Sequence, residues 1–237
     1  MDIEEQNIPN HVAVIPDGNR RWAASQGLKS WDGHDEGAKN IEKLVRLALK
    51  KGVRCITFWG SSVDNLTKRP LEEKLALLRI YEEYFKRLIS SSDIVENEVR
   101  INVIGRWREQ FPNSLVKIIQ DGIEKTRNNK KNILNFMLAY SGVDEMIQAM
   151  QNIVEKCESN IKITKEVIKN NLMTAEIPPV DYIIRTGGEP HNSSGFMMWD
   201  AADAQLYFSE KMFPAFGENE FESALEEYGN RKRRLGK

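Results

Sequence analysis

A short apolar run that leads through turn residues into a helical segment lies near the start of this chain, in residues 11–23, HVAVIPDGNRRWA. Residues 12–15 are apolar and mostly β-branched, which is typical of a buried strand. Pro16 ends that strand, because proline has no N–H to donate to a sheet. Residues 17–19 favour a turn, and residues 20–24 predict the first turn of a helix. The segment therefore predicts a strand that runs through a glycine turn into a helix N-terminus.

This predicted junction is suited to binding an anion. Unpaired backbone N–H groups and the positive end of the helix dipole point at the same place. Arg20 and Arg21 lie beside it and fit a dianion such as a diphosphate. Asp17 would repel a phosphate unless a cation lay between them, so we infer a bridging Mg²⁺ ion. The residues alone leave an alternative, in which Asp17 only caps the helix and the arginines are solvated.

The rest of the chain alternates between strand and helix patterns, which implies right-handed crossovers and a parallel sheet. We therefore expect an α/β fold with a mostly parallel central sheet flanked by helices. A chain of 237 residues that is 41% hydrophobic, with no linker-like tract, is expected to form a single domain over residues 1–237. The predicted strands are 12–15, 53–59, 99–104, 133–140 and 180–184, and the predicted longer helices are 33–51, 71–90, 112–128, 143–157, 164–172 and 218–230.

Charge and cysteine content limit the partners and the compartment. The 34 basic and 35 acidic side chains leave a net charge of −1, which provides no overall field to attract nucleic acid. Five bases nevertheless lie in the last seven residues. Cys55 and Cys157 suit a reducing compartment without a disulfide. The sequence contains no signal peptide pattern and no apolar span of about 18 residues, so a cytoplasmic protein is expected.

Residues 16–23, PDGNRRWA, resemble the signature of the cis-prenyltransferases, the undecaprenyl diphosphate synthase family. Four further segments resemble family motifs and stand in the family's order along the chain. They are GHDEG at 33–37, SVDNLTK at 62–68, RTGGE at 185–189 and RLG at 234–236. The resemblance therefore covers most of the chain, from about residue 10 to residue 237.

The resemblance implies an enzyme that transfers isopentenyl units from isopentenyl diphosphate to an allylic prenyl diphosphate with cis double bonds, giving a polyprenyl, undecaprenyl-like diphosphate. It implies Mg²⁺ as the cofactor and a fold that encloses a hydrophobic tunnel, with the helix at 71–90 as one wall. It also implies a homodimer, in which the C-terminal segment 234–236 reaches the active site of the partner subunit. Peripheral contact with the inner face of the membrane is expected during product release.

Roles for individual residues follow from the resemblance. Asp17 and Asn65 are the expected catalytic residues, with either Asn65 or the substrate diphosphate assisting proton transfer. Asp17 and Gln205 are the expected metal ligands. Arg185 and its neighbours are expected to hold isopentenyl diphosphate. The other residues expected to bind substrate are Gly18, Asn19, Arg20, Arg21, Trp22, Ser30, His34, Ser62, Val63, Asp64, Leu66, Lys68, His191 and Ser193.

Five positions depart from the family pattern and indicate a divergent branch. Ser30 and Lys68 stand where the family has arginines, although Arg69 follows directly. Asp64 and Gln205 replace glutamates, and His191 lies at or near the position of a second phosphate-binding arginine. Lysine keeps the positive charge of arginine but not its bidentate fork, and a neutral glutamine binds a cation less well than a carboxylate.

The sequence bears on three alternatives to a long-chain synthase. A non-catalytic partner subunit of the same fold would lack the motif aspartate and arginines, which are present here. A short-chain or irregular prenyl diphosphate synthase is compatible with the divergent positions. A nucleotide-binding phosphotransferase would need a G-x-x-x-x-G-K-[ST] loop, which does not occur in the sequence. The aspartate-rich motif of the trans-prenyltransferases is also missing.

The product length is expected to depend on Gly60. By the resemblance, a small residue at this strand end lines the mouth of the tunnel, and a large residue would block the growing chain early. Each buried methylene contributes ~0.8 kcal/mol, so elongation should continue until the tunnel is full. With glycine at this position a long product is expected, and Gly60→Leu is expected to shorten it.

Overall fold

The structure, a computed structural model, describes residues 7–156 and 162–231. Cys157 and the segment 234–236 lie outside the described residues. The expected α/β fold is confirmed, because six strands form one sheet. The strands are β1 His11–Ile15, β2 Cys55–Trp59, β3 Val99–Ile104, β4 Asn132–Met137, β5 Tyr182–Arg185 and β6 Gln205–Phe208.

Every strand pair in this sheet is parallel, and the order across it is β3-β4-β2-β1-β5-β6. The chain order reverses at β1, since β2, β4 and β3 lie on one side of it and β5 and β6 on the other. Open parallel sheets bind ligands beyond the carboxyl ends of the strands at such a reversal. The register sets Ile15 at the end of β1 opposite Arg185 at the end of β5. The segments that follow β1, β2 and β5 therefore meet at one edge.

Helices connect the strands. They are α1 Asn19–Ser25, α2 Ser30–Lys51, α3 Val63–Lys68, α4 Leu71–Ile89, α5 Ser92–Glu96, α6 Trp107–Gln110, α7 Asn113–Thr126, α8 Gly142–Lys156, α9 Lys165–Lys169 and α10 Glu218–Asn230. The predicted strand, glycine turn and helix of residues 11–24 are confirmed as β1, the turn and α1. Among the described residues, no helix is both long enough and apolar enough to span a membrane.

Several element boundaries differ from the prediction. Helix α2 begins at Ser30, because the Asp32 carboxylate accepts a hydrogen bond from the Lys29 backbone N–H at 3.0 Å and caps the helix from inside. The predicted loop between β2 and α4 contains α3, which the Ser62 hydroxyl caps by accepting from Asn65 N at 3.0 Å. Strand β6 was missed, because its four residues lie at the sheet edge and only alternate between half-buried and exposed.

The two faces of the sheet carry separate apolar clusters, since side chains along a strand alternate between faces. In β1, Val12 and Val14 pack into the larger cluster, and Ala13 and Ile15 into the smaller one. The larger cluster also receives the apolar side of α4. The spacing of Leu75, Leu78, Tyr81, Phe85 and Leu88 predicts this side from the sequence, and all but Leu75 pack into or against the cluster. Leu75 is 46% exposed, and Leu77 is buried in addition.

Close packing of α1 against α2 positions the arginines of α1. A Cβ on Gly33 in α2 would overlap the Asn19 carbonyl oxygen, so only glycine fits there. We expect Gly33→Ala to lower the free energy of unfolding by ~1–3 kcal/mol, as overpacking does.

Gly229→Ala in α10 is the matched control, because its Cβ would meet Asn7 O only at 3.5 Å. This helical substitution should be neutral or stabilising by up to ~1 kcal/mol. Urea denaturation of both variants measures the difference. Equal effects would contradict the packing argument.

Candidate functional site

A cleft of about 700 Å³ opens at the carboxyl edge of the sheet, beyond β1, β2 and β5. It lies at the reversal of strand order, where the topology favours a ligand site. The predicted site residues that line it are Asp17, Gly18, Asn19, Arg20, Arg21, Ser30, His34, Ser62, Asn65, Arg185 and Ser193. Most of the sequence-predicted residues are therefore brought together by three separate strand ends.

Asp17 follows β1 and lies between two guanidinium groups. Its Oδ1 accepts from the Gly18 backbone N–H at 2.6 Å and lies 3.5 Å from Arg21 Nη2. Its Oδ2 accepts from Arg185 Nη2 at 3.0 Å. The N-cap of α1 is Gly18, without a side-chain cap. The alternative in which Asp17 only caps the helix is therefore not supported.

Gly18 makes this turn sterically feasible. Its φ of 100° lies in the left-handed region that favours glycine. A Cβ at this position would also lie 2.9 Å from Met212 Cα. Helix α1 has only seven residues, so its dipole is small, and the arginines supply most of the positive charge in the cleft.

Arg185 ends β5 and is only 5% exposed. Its Nη1 donates to the His191 carbonyl oxygen at 2.7 Å, and its Nη2 donates to Asp17. Its Nε is buried and has no hydrogen-bond partner among the described residues. Arg185 therefore holds Asp17 and the loop at residue 191 in place. It lines the cleft as a buried, already paired guanidinium group and not as an exposed cation.

The glycine turn after Arg185 differs from the sequence interpretation, in which its backbone amides would approach a ligand. Gly187 N donates to Lys211 O at 2.8 Å, and Gly188 N donates to Ser209 O at 2.9 Å. Both amides are thus already paired. The glycines are needed for close packing instead, because a Cβ on Gly187 would lie 3.0 Å from the Asp17 backbone carbonyl.

A buried carboxylate collects three basic side chains on the other side of the cleft. Glu73 in the first turn of α4 is 4% exposed. Its Oε1 lies 3.7 Å from Arg20 Nε, 3.5 Å from His34 Nε2 and 3.4 Å from Arg69 Nη1. These groups come from α1, α2 and the α3–α4 connection, so Glu73 is a shared counter-charge that draws them toward one wall.

His34 is neutral at neutral pH. Burial lowers its pKa to about 4, the Arg69 charge acts in the same direction, and Glu73 opposes the shift. A neutral imidazole can accept a hydrogen bond at Nε2, which lies 3.1 Å from Arg69 Nη1. His34 therefore orients the Arg69 guanidinium and contributes no charge of its own.

Several predicted site residues do not line the cleft. Asp64 and Lys68 form an exposed ion pair at 2.6 Å, and their side chains are 72% and 74% exposed. Leu66 is buried in the larger core cluster, and Val63 packs against that cluster. Trp22 is half-buried and is not among the lining residues. The substrate contacts predicted for these five residues are therefore not supported. The four residues in α3 have their side chains turned away from the cleft, and so does Trp22 in α1.

The Gln205 and His191 side chains are also placed differently from the prediction. Gln205 begins β6 and pairs with Tyr182 at the start of β5, so it lies at the opposite end of the strands from Asp17. Its Oε1 accepts from Arg231 Nη1 at 3.2 Å. Gln205 and Asp17 therefore do not meet at one metal site within a chain, and the role predicted for Gln205 is not supported. The His191 side chain is 58% exposed, and only its carbonyl contacts Arg185.

Two functional candidates were missed, Arg69 and Glu73. Arg69 lines the cleft and is only 14% exposed, in contrast to its neighbour Lys68. The sequence did carry a signal, because the spacing of four between Arg69 and Glu73 favours an ion pair across one helical turn. The phase of α3 decides which of two adjacent bases faces the cleft, and motif spacing does not reveal that phase.

An apolar cavity of about 420 Å³ lies beside the cleft, between α2 and α4. Gly60, directly after β2, lines both spaces. A Cβ on Gly60 would lie 2.5 Å from Leu138 Cδ2. The Tyr81 hydroxyl donates to Gly60 O at 3.1 Å and holds this shared lining residue in place; we refer to Gly60 as the neck. The site thus combines a basic cleft with an adjoining apolar cavity.

Comparisons with known proteins agree with this geometry. The family model described as undecaprenyl diphosphate synthase matches residues 15–236. The isoprenyl transferase of Oceanobacillus iheyensis is 36% identical over 97% of this chain and 91% of its own length. The tritrans,polycis-undecaprenyl-diphosphate synthase (geranylgeranyl-diphosphate specific) of Pyrococcus furiosus is 35% identical over 97% of this chain and 88% of its own. The crystal structure of lavandulyl diphosphate synthase from Lavandula x intermedia, in complex with dimethylallyl diphosphate, superposes with a TM-score of 0.87 at 31% identity and covers 97% of this chain and 99% of that one.

The different placement of Arg69 and Lys68 can be tested with inorganic diphosphate. We expect Arg69→Met to weaken diphosphate binding tenfold or more, because a hydrogen bond to a charged group contributes ~1.5–3 kcal/mol. Lys68→Met should leave the affinity unchanged, since Lys68 points into solvent. Isothermal titration calorimetry measures both, and melting temperatures show that the variants are folded. A larger loss in Lys68→Met than in Arg69→Met would favour the motif-based assignment over this geometry.

Proposed function

Because this chain belongs to the undecaprenyl diphosphate synthase family of prenyltransferases, we propose that its cleft joins isopentenyl diphosphate to an allylic prenyl diphosphate with a cis double bond. The chain is a prenyltransferase, and cis-prenyl chain elongation is the activity of the family. The roles of its individual residues, its metal and its assembly are parts of the proposal.

The main observation behind the proposal is that Gly60 lines both the basic cleft and the apolar cavity, so the two spaces lie side by side. A prenyl diphosphate has one strongly anionic end and one purely hydrocarbon end. Arg20, Arg21 and Arg69 suit the diphosphate, and the cavity between α2 and α4 suits the hydrocarbon. A site for a nucleotide or a sugar phosphate would not need an apolar cavity behind the phosphate position.

The chemistry requires charge stabilisation more than it requires a nucleophilic side chain. The bond between the allylic carbon and the diphosphate oxygen breaks, and its electron pair leaves with the diphosphate. Guanidinium groups of Arg20, Arg21 and Arg69 are arranged to stabilise that charge. The double bond of isopentenyl diphosphate then bonds to the allylic carbon, and loss of a proton restores a double bond in the cis geometry. The released diphosphate is the candidate to accept that proton, and Asn65, whose neutral amide is not a base, is the candidate to assist by hydrogen bonding.

Mg²⁺ is the proposed metal, with Asp17 as its protein ligand. Within residues 7–156 and 162–231 there is no cluster of three or more His, Cys, Asp or Glu side chains that could hold an ion. That fits Mg²⁺, which usually binds through one or two carboxylates together with substrate phosphates and water. The Asp17 side chain is 36% exposed and lines the cleft, so it is accessible for this role. When bound, the ion would supply further positive charge to the leaving diphosphate.

Two copies of the chain are proposed to assemble through helix α8. Val143, Ile147, Met150 and Val154 form an apolar stripe on this helix and are 50–74% exposed. Their spacing puts them on one face, and Met198, which is 38% exposed, lies beside Val143. An apolar stripe of this kind on a folded protein marks an interaction surface, and a two-fold dimer would bury it against itself.

The cytoplasmic location and the membrane contact during product release stay predictions from the sequence.

A second candidate function is an irregular condensation of two allylic diphosphates. It is favoured by the likeness to lavandulyl diphosphate synthase in complex with dimethylallyl diphosphate. Incorporation of labelled isopentenyl diphosphate into product separates the two functions, because elongation consumes isopentenyl diphosphate and the irregular reaction does not. A non-catalytic subunit is disfavoured, because Asp17, Arg20, Arg21 and Arg185 all line the cleft.

Asp17→Asn tests the role of the Asp17 charge. The substituted amide keeps an oxygen that can accept from Arg185 but loses the counter-charge, so we expect the variant to fold with a lower melting temperature. We expect turnover to fall ~10²-fold or more, the scale of losing one charge-stabilising group. Asp64→Asn is the control and should keep near-normal turnover, because Asp64 is exposed outside the cleft. Incorporation of labelled isopentenyl diphosphate measures both. A folded Asp17→Asn protein with near-normal turnover would remove Asp17 from the mechanism.

The double variant Ile147→Asp/Met150→Asp tests the α8 interface. Two charges in an apolar interface should convert a dimer to monomers, as sedimentation velocity would show. Val95→Asp is the control, since Val95 is 71% exposed on a different helix and should not affect assembly. A wild-type monomer, or a dimer that persists in the double variant, would contradict this interface.

A further inference from the structure

The cavity between α2 and α4 is lined partly by charged side chains, although its walls are largely apolar. Tyr81 of α4 bonds to Gly60, next to the cleft, and Arg87 follows six residues later, about 9 Å along the helix. The charged groups therefore lie away from Gly60. The wall residues include Ile41, Val45, Phe58, Ile80, Phe85, Leu88, Phe136 and Leu138. Four charged residues also line it, Glu42, Arg46, Arg87 and Asp93, and we refer to these four as the charged rim.

The charged rim consists of two ion pairs that connect different helices. Arg87 Nη2 in α4 donates to Glu42 Oε2 in α2 at 3.1 Å. Arg46 Nε in α2 donates to Asp93 Oδ2 in α5 at 2.7 Å. The Arg87 guanidinium also lies 4.8 Å from the centre of the Tyr84 ring, which holds it over the cavity wall. Both arginines are about half exposed, at 51% for Arg87 and 56% for Arg46.

A growing hydrocarbon tail would interact very differently with the walls and with the rim. Along the walls each added unit is removed from water, which favours elongation. At the rim the tail would have to displace water from four charged groups, and their mutual pairing offsets that desolvation cost only in part, which opposes further elongation. The change from apolar wall to paired charges therefore defines a position at which further growth of the hydrocarbon tail becomes unfavourable.

We propose that the ion pairs Arg87–Glu42 and Arg46–Asp93 set the length at which chain elongation stops. This inference rests on the proposed function and adds the residues that determine its product. It concerns the charge of the rim and not the volume of its side chains. Removal of the charges is therefore compared with a reversed pair that keeps both charged side chains.

The test compares product lengths by mass spectrometry, with farnesyl diphosphate and labelled isopentenyl diphosphate as substrates. Glu42→Met/Arg87→Met removes one ion pair; methionine is close to glutamate in length but shorter than arginine. Glu42→Arg/Arg87→Glu reverses the pair and keeps the rim charged. Glu82→Met/Lys86→Met removes the ion pair between Lys86 and Glu82, which is on the same helix α4 but does not line the cavity. Gly60→Leu, which is expected to shorten the product, shows that the assay responds to changes at the tunnel.

The expected result is that Glu42→Met/Arg87→Met lengthens the main product by at least one five-carbon unit. The reversed pair and the Glu82–Lys86 control should give the wild-type length. Arg87→Met alone should lengthen the product in the same direction, and it serves as the second variant if the double variant is poorly folded.

Unchanged product lengths in an active Glu42→Met/Arg87→Met enzyme would overturn the inference and leave the proposed function intact. Equal lengthening in the charge-reversed variant would also overturn it, because charge would then not be the cause. No product from the wild-type enzyme with these substrates would overturn the proposed function, and the inference with it.

Discussion

The interaction on which the rest of the site depends is the pairing of the Asp17 carboxylate with Arg21 and Arg185. It connects the carboxyl ends of β1 and β5, the two neighbouring strands at the reversal of the sheet order. Because Arg185 is almost completely buried, it needs this carboxylate as a counter-charge in the folded protein. The same pairing leaves one carboxylate accessible in a cleft that is otherwise basic. Stability of the strand ends and availability of a metal ligand therefore depend on one residue.

Glu73 has a corresponding role on the opposite wall of the cleft. Three basic side chains from α1, α2 and the α3–α4 connection point toward it, and it is too buried to be neutralised by solvent ions. The two carboxylates together hold the guanidinium groups in place before any substrate arrives. Preorganised positive charge of this kind stabilises a leaving diphosphate without reorganisation during the reaction. The apolar cavity behind Gly60 then accounts for the other end of the substrate.

The sequence predicted those features that depend on local patterns. The β-branched run before Pro16, the glycine turn and the following helix were predicted correctly, and so was the parallel sheet, because alternation of strands and helices leaves few other topologies. The short edge strand β6 was missed, because four residues with a mixed pattern carry little signal. That omission also concealed that Gln205 begins a strand and lies far from Asp17. The choice between Lys68 and Arg69 depended on the rotation of α3, which is set by packing of Leu66 into the core and not by motif spacing. Likewise the paired amides of Gly187 and Gly188 depend on residues 209–211, which are distant in sequence.

The central claim is that one substrate spans the basic cleft and the apolar cavity through the neck at Gly60. A crystal structure with an unreactive thiolodiphosphate analogue of farnesyl diphosphate would test it most directly. We predict that the diphosphate group lies within hydrogen-bonding distance, about 3 Å, of the Arg20, Arg21 or Arg69 guanidinium groups. The hydrocarbon tail should pass Gly60 and extend between α2 and α4. A diphosphate bound away from these arginines, or a tail that lies outside the cavity, would contradict the account.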